Sequence, residues 1–298
     1  MLDYMLKQFS DLPWPTTVLQ ENLQSYINQQ VSYCSDPEFA SRFPYHQLEL
    51  PKSFFHQVIM DIDGISYLTG PRFKDDDITQ PYVDIVASNG PLTQNAVNEI
   101  LRYWAPLKAK KLRILRQPDP QGVGEIQRWF YAAGIDQVMN EGNEDAVASL
   151  VQASASDLTW CLWAVSESHS QALRDIPRLR GTLQRTDEEV LSDYISHGYV
   201  WIIMSNGAKA GLICCVPGTT LFLPGWWIEE EVVVPRYRGH YLAAEVQKLL
   251  LKQITDNDPQ SLLLGTIAAE NLPSLKTAER SGRQVILEYA FVTEQDFS

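Results

Sequence analysis

Apolar positions in the first half of the chain predict one long helix followed by strands. Residues 16–31 place apolar side chains at helical spacing. Two β-rich runs, 54–62 and 65–70, flank Asp63-Gly64, a dipeptide that favours a tight hairpin turn. The next runs predict a strand at 81–88, a helix at 91–104, a strand at 112–117 and a helix at 125–134 that ends at Gly134.

The second half of the chain repeats this order of elements. Apolar runs on either side of Asn206-Gly207 predict a second hairpin, and residues 226–235 predict a strand that ends at a proline. The other patterns predict a helix at 186–196, a helix at 239–254, a strand at 261–268, a helix at 271–282 and a strand at 285–292. A repeat of this size indicates two similar units.

We therefore predict an α/β chain of the α+β type, built from two units. Each unit is expected to hold a mixed, mostly antiparallel central sheet flanked by helices. The polar stretch 139–146 (MNEGNEDA) is the expected joint, which places the domains at 1–141 and 142–298.

Composition excludes some partners. The 298 residues contain 24 Lys+Arg and 37 Asp+Glu, a formal net charge of −13, and 45% are hydrophobic, which is ample for buried cores. Binding to nucleic acids and to anionic membranes depends on Lys and Arg, so we expect neither as a partner.

The cysteines, histidines and N-terminus predict a reduced cytoplasmic protein. The four cysteines show no ligand spacing and are too sparse for a disulfide framework. The histidines are scattered, so no metal is expected. No signal peptide and no apolar run of about 20 residues is present, which predicts a soluble chain.

The turn after the strand at 226–235 is the strongest candidate for binding chemistry. Pro235 ends the strand, and Gly239 lies at the start of the next predicted helix. Unpaired backbone N–H groups and the positive end of the helix dipole suit an anion such as a pyrophosphate. Arg238 would add a charge-assisted hydrogen bond, although an Arg-Gly pair is also common as surface chemistry.

Two motifs in this region resemble the GCN5-related N-acetyltransferase (GNAT) superfamily. The first is Val233-Val234-Pro235 followed by Arg238-Gly239-His240-Tyr241-Leu242-Ala243, which is similar to the strand ending and the R-x-x-G-x-G/A turn of the family. The second is Asn271 with Ser274 and Gly282, which is similar to an N-x-x-A/S helix that ends in glycine. The resemblance covers residues 150–298 and implies a GNAT fold for this half.

The resemblance implies that the chain binds acetyl-CoA as an acyl donor. In the family the turn amides hold the pyrophosphate, the strand end pairs with the pantetheine arm, and the asparagine contacts the cofactor. Carried over, the cofactor-binding residues are Val232, Val233, Arg238, Gly239, His240, Tyr241, Leu242, Ala243, Ala244 and Asn271. Tyr241 replaces the signature glycine of the turn, and a helical φ would accommodate it.

The implied chemistry is direct attack of an amine on the thioester, which needs a base for the ammonium and an acid for the thiolate. The family often places a carboxylate on the strand before the turn, where strand alternation puts Glu229 and Glu231 on one face and Glu230 on the other. Glu229 is the first candidate base and Glu231 the second, and the alternative is a solvated strand face. Ala278 stands where many members carry a tyrosine acid, so no acid is assigned.

The first half of the chain lacks these motifs. Its equivalent turn, 87–93, has no arginine, so it resembles a GNAT-like unit that has lost its cofactor turn. We predict a degenerate N-terminal unit that shapes the acceptor site and a C-terminal N-acetyltransferase acting on a small amine or a peptide or protein amino group. The alternatives are a catalytically weak CoA-binding or regulatory protein and aminoacyl transfer from tRNA, which the net charge of −13 disfavours.

Overall fold

Two compact units make up the chain in a computed structural model that describes residues 1–138, 148–256, 258 and 260–297. The first unit contains Met1–Arg128, Thr220–Leu223 and Ile286–Ser298, and the second contains Trp129–Thr219 and Pro224–Val285. The predicted joint at 139–146 and the boundary between residues 141 and 142 lie outside the described residues.

The described residues form the following helices and strands. The helices are α1 (Leu2–Gln8), α2 (Thr16–Ser32), α3 (Pro37–Ser41), α4 (Gln94–Tyr103), α5 (Ile135–Val138), α6 (Leu158–Asp175), α7 (Glu188–Ser196), α8 (Leu242–Thr255) and α9 (Leu272–Arg280). The strands are β1 (Val58–Ile62), β2 (Ile65–Phe73), β3 (Pro81–Ser88), β4 (Leu112–Arg116), β5 (Glu125–Ala133), β6 (Ala148–Gln152), β7 (Val200–Ser205), β8 (Ala208–Thr220), β9 (Leu223–Val233), β10 (Leu263–Ala268) and β11 (Gln284–Val292).

In the first unit the strands lie in the order β1-β2-β3-β4-β11. The β1–β2 hairpin turns at Asp63 and Gly64, whose φ angles of +52° and +79° confirm the predicted tight turn. Strands β3 and β4 run parallel with α4 between them in sequence, and β11 pairs antiparallel with β4. The core beneath this sheet contains Tyr67, Val83, Val97, Ile100 and Trp104.

In the second unit the strands lie in the order β5-β10-β9-β8-β7-β6. The β7–β8 hairpin turns at Asn206 and Gly207, both with positive φ, which confirms the second predicted turn. Strands β9 and β10 are parallel with α8 between them, as β3 and β4 are with α4. The pairs β1–β2, β2–β3, β4–β11, β6–β7 and β7–β8 are antiparallel, whereas β3–β4 and β9–β10 are parallel, so the prediction of a mixed, mostly antiparallel α+β fold is confirmed.

Helices cover both faces of the second sheet. Residues of α6 and α7, including Val165 and Leu191, pack on one face with Val232 of β9 and with Val234, which follows the strand. Residues of α8 and its neighbours pack on the other face, where Leu250 contacts Ile213 and Cys215 of β8. Consecutive residues at the end of β9 therefore point alternately toward α6 and toward α8.

The predicted helix at 125–134 is wrong, because these residues form strand β5. Phe130, Tyr131, Ala132 and Ala133 are all buried, as in an interior strand that is covered on both faces. A short run that is apolar at every position does not distinguish such a strand from a buried helix. The first half therefore runs hairpin, strand, helix, strand, strand, and does not match the second half element for element.

Each compact unit also contains chain from the other half of the sequence. Residues Trp129–Ala133 of β5 belong to the second unit beside β10, whereas β11 belongs to the first unit from Ile286 onward. The units therefore do not coincide with two continuous halves of the sequence. Within the described residues, no helix is long and apolar enough to cross a membrane.

Candidate functional site

The second unit contains a cavity of about 620 Å³ beside the end of β9. Strands β9 and β10 pair at Trp226–Leu263 and Trp227–Leu264, and residues Glu230–Val233 further along β9 line the cavity. The other walls come from α6, from the turn between β9 and α8, and from α9. The cavity thus lies where the parallel strand pair ends and two helices begin.

The turn between β9 and α8 has an unusual backbone. Gly239 has a φ of +86°, and a Cβ at this position would meet no atom within 4 Å, so the space beside it is open. Tyr241, the residue before α8, has a φ of +59° and is 60% exposed. Tyr241 is therefore left-handed and does not have the helical φ that would accommodate its side chain without strain. The first amides of α8 have no partner within the helix and face the turn.

Arg238 ties this turn to two other elements. Its Nε donates to the carbonyl oxygen of Val233 at 3.0 Å, and its Nη2 donates to the carbonyl oxygen of Ser168 at 3.1 Å. Its Nη1 lies 3.7 Å from Oδ2 of Asp175. These contacts hold the cation at the cavity wall between β9 and α6, and they leave other N–H groups of the guanidinium for an anion.

Helix α9 supplies two further cations and the predicted asparagine. Asn271 is the N-cap of α9, where its Oδ1 accepts a hydrogen bond from the amide of Ser274 at 3.4 Å. Lys276 and Arg280 lie one helical turn apart and both line the cavity. The guanidinium of Arg280 lies 4.6 Å from the ring centroid of Tyr241. Positive charge therefore gathers around the glycine turn.

Glu231 faces α8 and carries an incompletely bonded carboxyl group. Its Oε2 accepts a hydrogen bond from Nε2 of Gln247 at 2.6 Å, and the side chain of Gln247 accepts one from Ser281 at 2.7 Å. Its Oε1 is buried without a hydrogen-bond partner. Burial raises the pKa of Glu231 to about 7, and the buried guanidinium of Arg283 opposes that rise.

Glu230 points to the opposite face of β9 and contacts α6. Its Oε1 lies 3.0 Å from Nε2 of His169, and its Oε2 accepts from the amide and the hydroxyl of Thr186. Glu230 and His169 are both buried, and both line the cavity. The end of β9 thus presents ionisable groups to the cavity from both of its faces.

Most of the residues that the motifs nominated lie together. The cavity is lined by Val232, Val233, Arg238, Gly239, Tyr241, Leu242, Ala243, Asn271 and Glu231. Three nominated residues lie elsewhere: His240 and Glu229 are exposed outside the lining, and Ala244 is buried on the core side of α8.

The two candidate bases separate because the alternation of β9 is interrupted. Ile228 packs in the cluster that contains Leu250 of α8, and Glu231, three residues later, also contacts α8. Strict alternation would put residues three apart on opposite faces. Glu229 therefore lies outside the cavity that Glu231 lines. Glu230 lies on the face of β9 opposite Glu231, as expected.

Sequence reasoning missed several residues of the cavity, notably His169, Lys276 and Arg280. His169 lies on α6, a helix that was not predicted, although apolar residues within 158–175 recur at helical spacing and would have indicated it. Lys276 and Arg280 are four residues apart on a predicted helix. That spacing puts both cations on one face and was a usable signal.

Comparison with known proteins identifies the fold. No family model and no curated protein matches the sequence. A GNAT-family acetyltransferase from Colwellia psychrerythraea matches with a TM-score of 0.51 at 10% identity, over 80% of this chain and 86% of its own. This similarity shows that the chain has the GNAT fold that its motifs implied.

Two further solved structures are similar at lower scores. A GCN5-related N-acetyltransferase from Sphaerobacter thermophilus has a TM-score of 0.48 at 11% identity, over 76% of this chain and 79% of its own. A tandem GNAT protein from the clavulanic acid biosynthesis pathway has a TM-score of 0.42 at 13% identity, over 72% of this chain and 75% of its own.

Proposed function

We propose that this chain is an acetyl-CoA-dependent N-acetyltransferase whose second unit binds the acyl donor and performs the transfer. The observation that carries the proposal is the cavity itself. It combines a glycine turn at a helix start, three cations and the buried carboxyl groups of two adjacent residues, Glu230 and Glu231. This is the chemistry needed to hold a diphosphate at one end and to move protons at the other.

The cation cluster fits the diphosphate of acetyl-CoA. Arg238, Lys276 and Arg280 line one cavity in a chain whose net charge is −13, so the cluster opposes the overall charge. The open space at Gly239 lets backbone N–H groups approach a phosphate closely. When bound, acetyl-CoA supplies an acetyl group activated as a thioester.

Roles at the site follow from position. The amides of residues 239–243 and the guanidinium of Arg238 hold phosphate oxygens, and Val232 and Val233 offer the edge of β9 to the extended arm. Glu231 exchanges a proton with the reacting groups, since a carboxyl group with a pKa of about 7 is partly protonated at neutral pH. Glu229, exposed outside the cavity, is the weaker candidate.

The proposed acceptor is a primary amine, either a small molecule or a peptide or protein amino group. The acidic chain and the carboxyl groups of the cavity favour a cationic substrate. A cytoplasmic location and the absence of nucleic-acid, membrane and metal partners stay predictions.

Calorimetric titration with CoA tests the donor site. The Arg238→Ala variant is expected to weaken CoA binding by about tenfold or more, since it removes a charged hydrogen-bond donor. Arg236→Ala is the matched control, because Arg236 lies in the same turn but not in the cavity lining. Wild-type protein that binds no CoA, or equal effects of the two substitutions, would contradict the proposal.

Release of free CoA thiol from acetyl-CoA tests the reaction. The assay uses n-alkylamines, benzylamine, spermidine and a lysine-containing peptide as acceptors, and at least one is expected to accelerate thiol release. Tight CoA binding with no acceleration by any of them would favour the alternative, a regulatory protein that binds CoA without turnover.

A further inference from the structure

Helix α6 holds a histidine against the reactive end of the cavity. Nε2 of His169 lies 3.0 Å from Oε1 of Glu230, although the two residues are 61 positions apart. His169 is 8% exposed and Glu230 is 7% exposed, and both line the cavity. The proposed binding of phosphate at the glycine turn does not use this buried pair.

The other hydrogen bonds of Glu230 determine which ring nitrogen of His169 carries the hydrogen. Oε2 of Glu230 accepts from the amide of Thr186 at 3.3 Å and from its hydroxyl at 3.2 Å. An ionised carboxylate has no hydrogen to donate, so it acts only as an acceptor. The hydrogen between the pair therefore sits on Nε2 of His169, which leaves Nδ1 as the ring nitrogen that can exchange a proton with a ligand.

The distribution of charge in the cavity indicates that the acceptor binds beside α6. The cations of α9 suit the phosphates, whereas the wall beside α6 combines Glu230 and His169 with the apolar side chains of Ala172, Ile176 and Leu179. Arg238 also reaches this wall, through its hydrogen bond to the carbonyl oxygen of Ser168. Among the described residues that line that wall, Asp175 is the other acid, and it lies beside Arg238. An ammonium group with an apolar substituent therefore fits next to His169.

We propose that His169 is the catalytic base that removes the proton from the acceptor ammonium through Nδ1, and that Glu230 is its positioning residue. The proposal rests on the proposed acetyl transfer and names the group on which its first proton step depends. The arrangement follows the general logic by which a carboxylate orients an imidazole and stabilises the imidazolium that forms.

The protons and electrons of the transfer balance with these residues. His169 takes one proton from the ammonium, and the freed lone pair of the amine forms the new C–N bond. Glu231, on the other face of β9, gives its proton to sulfur as the C–S bond breaks and the electron pair leaves with sulfur. The nitrogen of the new amide loses its second proton to solvent, which also takes the proton from His169 and returns one to Glu231.

Nitrogen NMR of the 15N-histidine-labelled full chain tests the arrangement without a substrate. The signals of His169, assigned among the five histidines by their loss in His169→Gln, are expected to show a hydrogen on Nε2. Glu230→Gln is expected to mix the two tautomers. A hydrogen predominantly on Nδ1 of neutral His169 in the wild-type protein would overturn the proposal.

Steady-state kinetics test the role of the imidazole. His169→Gln retains a donor toward Glu230 but no base, so kcat is expected to fall about 100-fold or more while CoA affinity stays within about twofold. For His169→Ala, added imidazole is expected to restore part of the rate. A His169→Gln enzyme with more than about half of wild-type kcat would overturn the proposal.

The two proposals fail in different ways. Absence of CoA binding by the wild-type protein contradicts the acetyltransferase function, whereas full activity of His169→Gln contradicts only the role of His169. If His169→Gln folds poorly, the response of His169→Ala to imidazole decides, because a structural role would give no rescue.

Discussion

Gln247 donates a 2.6 Å hydrogen bond to one oxygen of Glu231, while the other oxygen of that carboxyl is buried without a partner. Such a group is costly to ionise, because the carboxylate has lost water and gained a single donor. The resulting rise in its pKa, from an ordinary 4.5 to about 7, links Glu231 to folding stability.

The first prediction concerns this pH dependence. Between pH 4.5 and 7 the folded state holds a proton on Glu231 that the unfolded state has lost, so this contribution to stability declines as the pH rises. The Glu231→Gln variant has no titrating group at this position, so its stability should not show this decline. Its free energy of unfolding relative to wild type should increase by about 3 kcal/mol across the window, as measured by urea unfolding.

The exposed neighbour on the same strand provides the control. Glu229→Gln should change the pH profile in the same direction but by less, because burial also raises the pKa of Glu229, although this residue is exposed and lies outside the cavity. A difference between wild type and Glu231→Gln that stays constant with pH would contradict the raised pKa.

The second prediction concerns the support of the β9 end by β8. A Cβ built on Gly211 of β8 would overlap the carbonyl oxygen of Val232. Gly211→Ala should therefore push the cavity end of β9 outward, lower the unfolding free energy by about 1–3 kcal/mol and weaken CoA binding. Gly218→Ala on the same strand, where a Cβ meets nothing within 4 Å, should change neither quantity. Equal stability of the two variants would be the contrary result.

The third prediction concerns the left-handed Tyr241. Its φ of +59° is strained for a residue with a Cβ and free for glycine. Tyr241→Gly should therefore be more stable than Tyr241→Ala by about 1 kcal/mol in urea unfolding. Both variants lose the ring that lies near Arg280, so their difference isolates the backbone effect. An alanine variant at least as stable as the glycine variant would argue against strain.

The fourth prediction concerns the number of CoA sites. In the first unit the helix after β3 begins at a cap, where Oγ1 of Thr93 accepts from the amide of Ala96 at 3.1 Å. The Thr93 side chain thus already bonds to one of the amides at the helix start, which an anion would otherwise use. The segment 87–93 also has no arginine. Calorimetry should therefore give one CoA per chain, and two equivalents would show that the first unit kept its site.

Local chemistry explains what could be predicted from the sequence. The two hairpins depend on Asp63-Gly64 and Asn206-Gly207, dipeptides whose backbone preference hardly depends on the rest of the chain. The turn from Arg238 to Ala243 and the cap at Asn271 are likewise short motifs. The residues of both motifs line one cavity because β9, α8 and β10 form a parallel unit, which the element order already indicated.

Long-range contacts decided the rest. Burial on both faces made residues 125–133 a strand, and packing put Tyr241 in a left-handed conformation that its identity did not indicate. The contact between His169 and Glu230 joins residues 61 positions apart, and the raised pKa of Glu231 comes from burial. The sequence by itself therefore determined the fold class and the glycine turn before α8, because turn and periodicity signals are local. Only the tertiary structure decided which ionisable groups meet at the cavity, because burial and pairing depend on segments far apart in the chain.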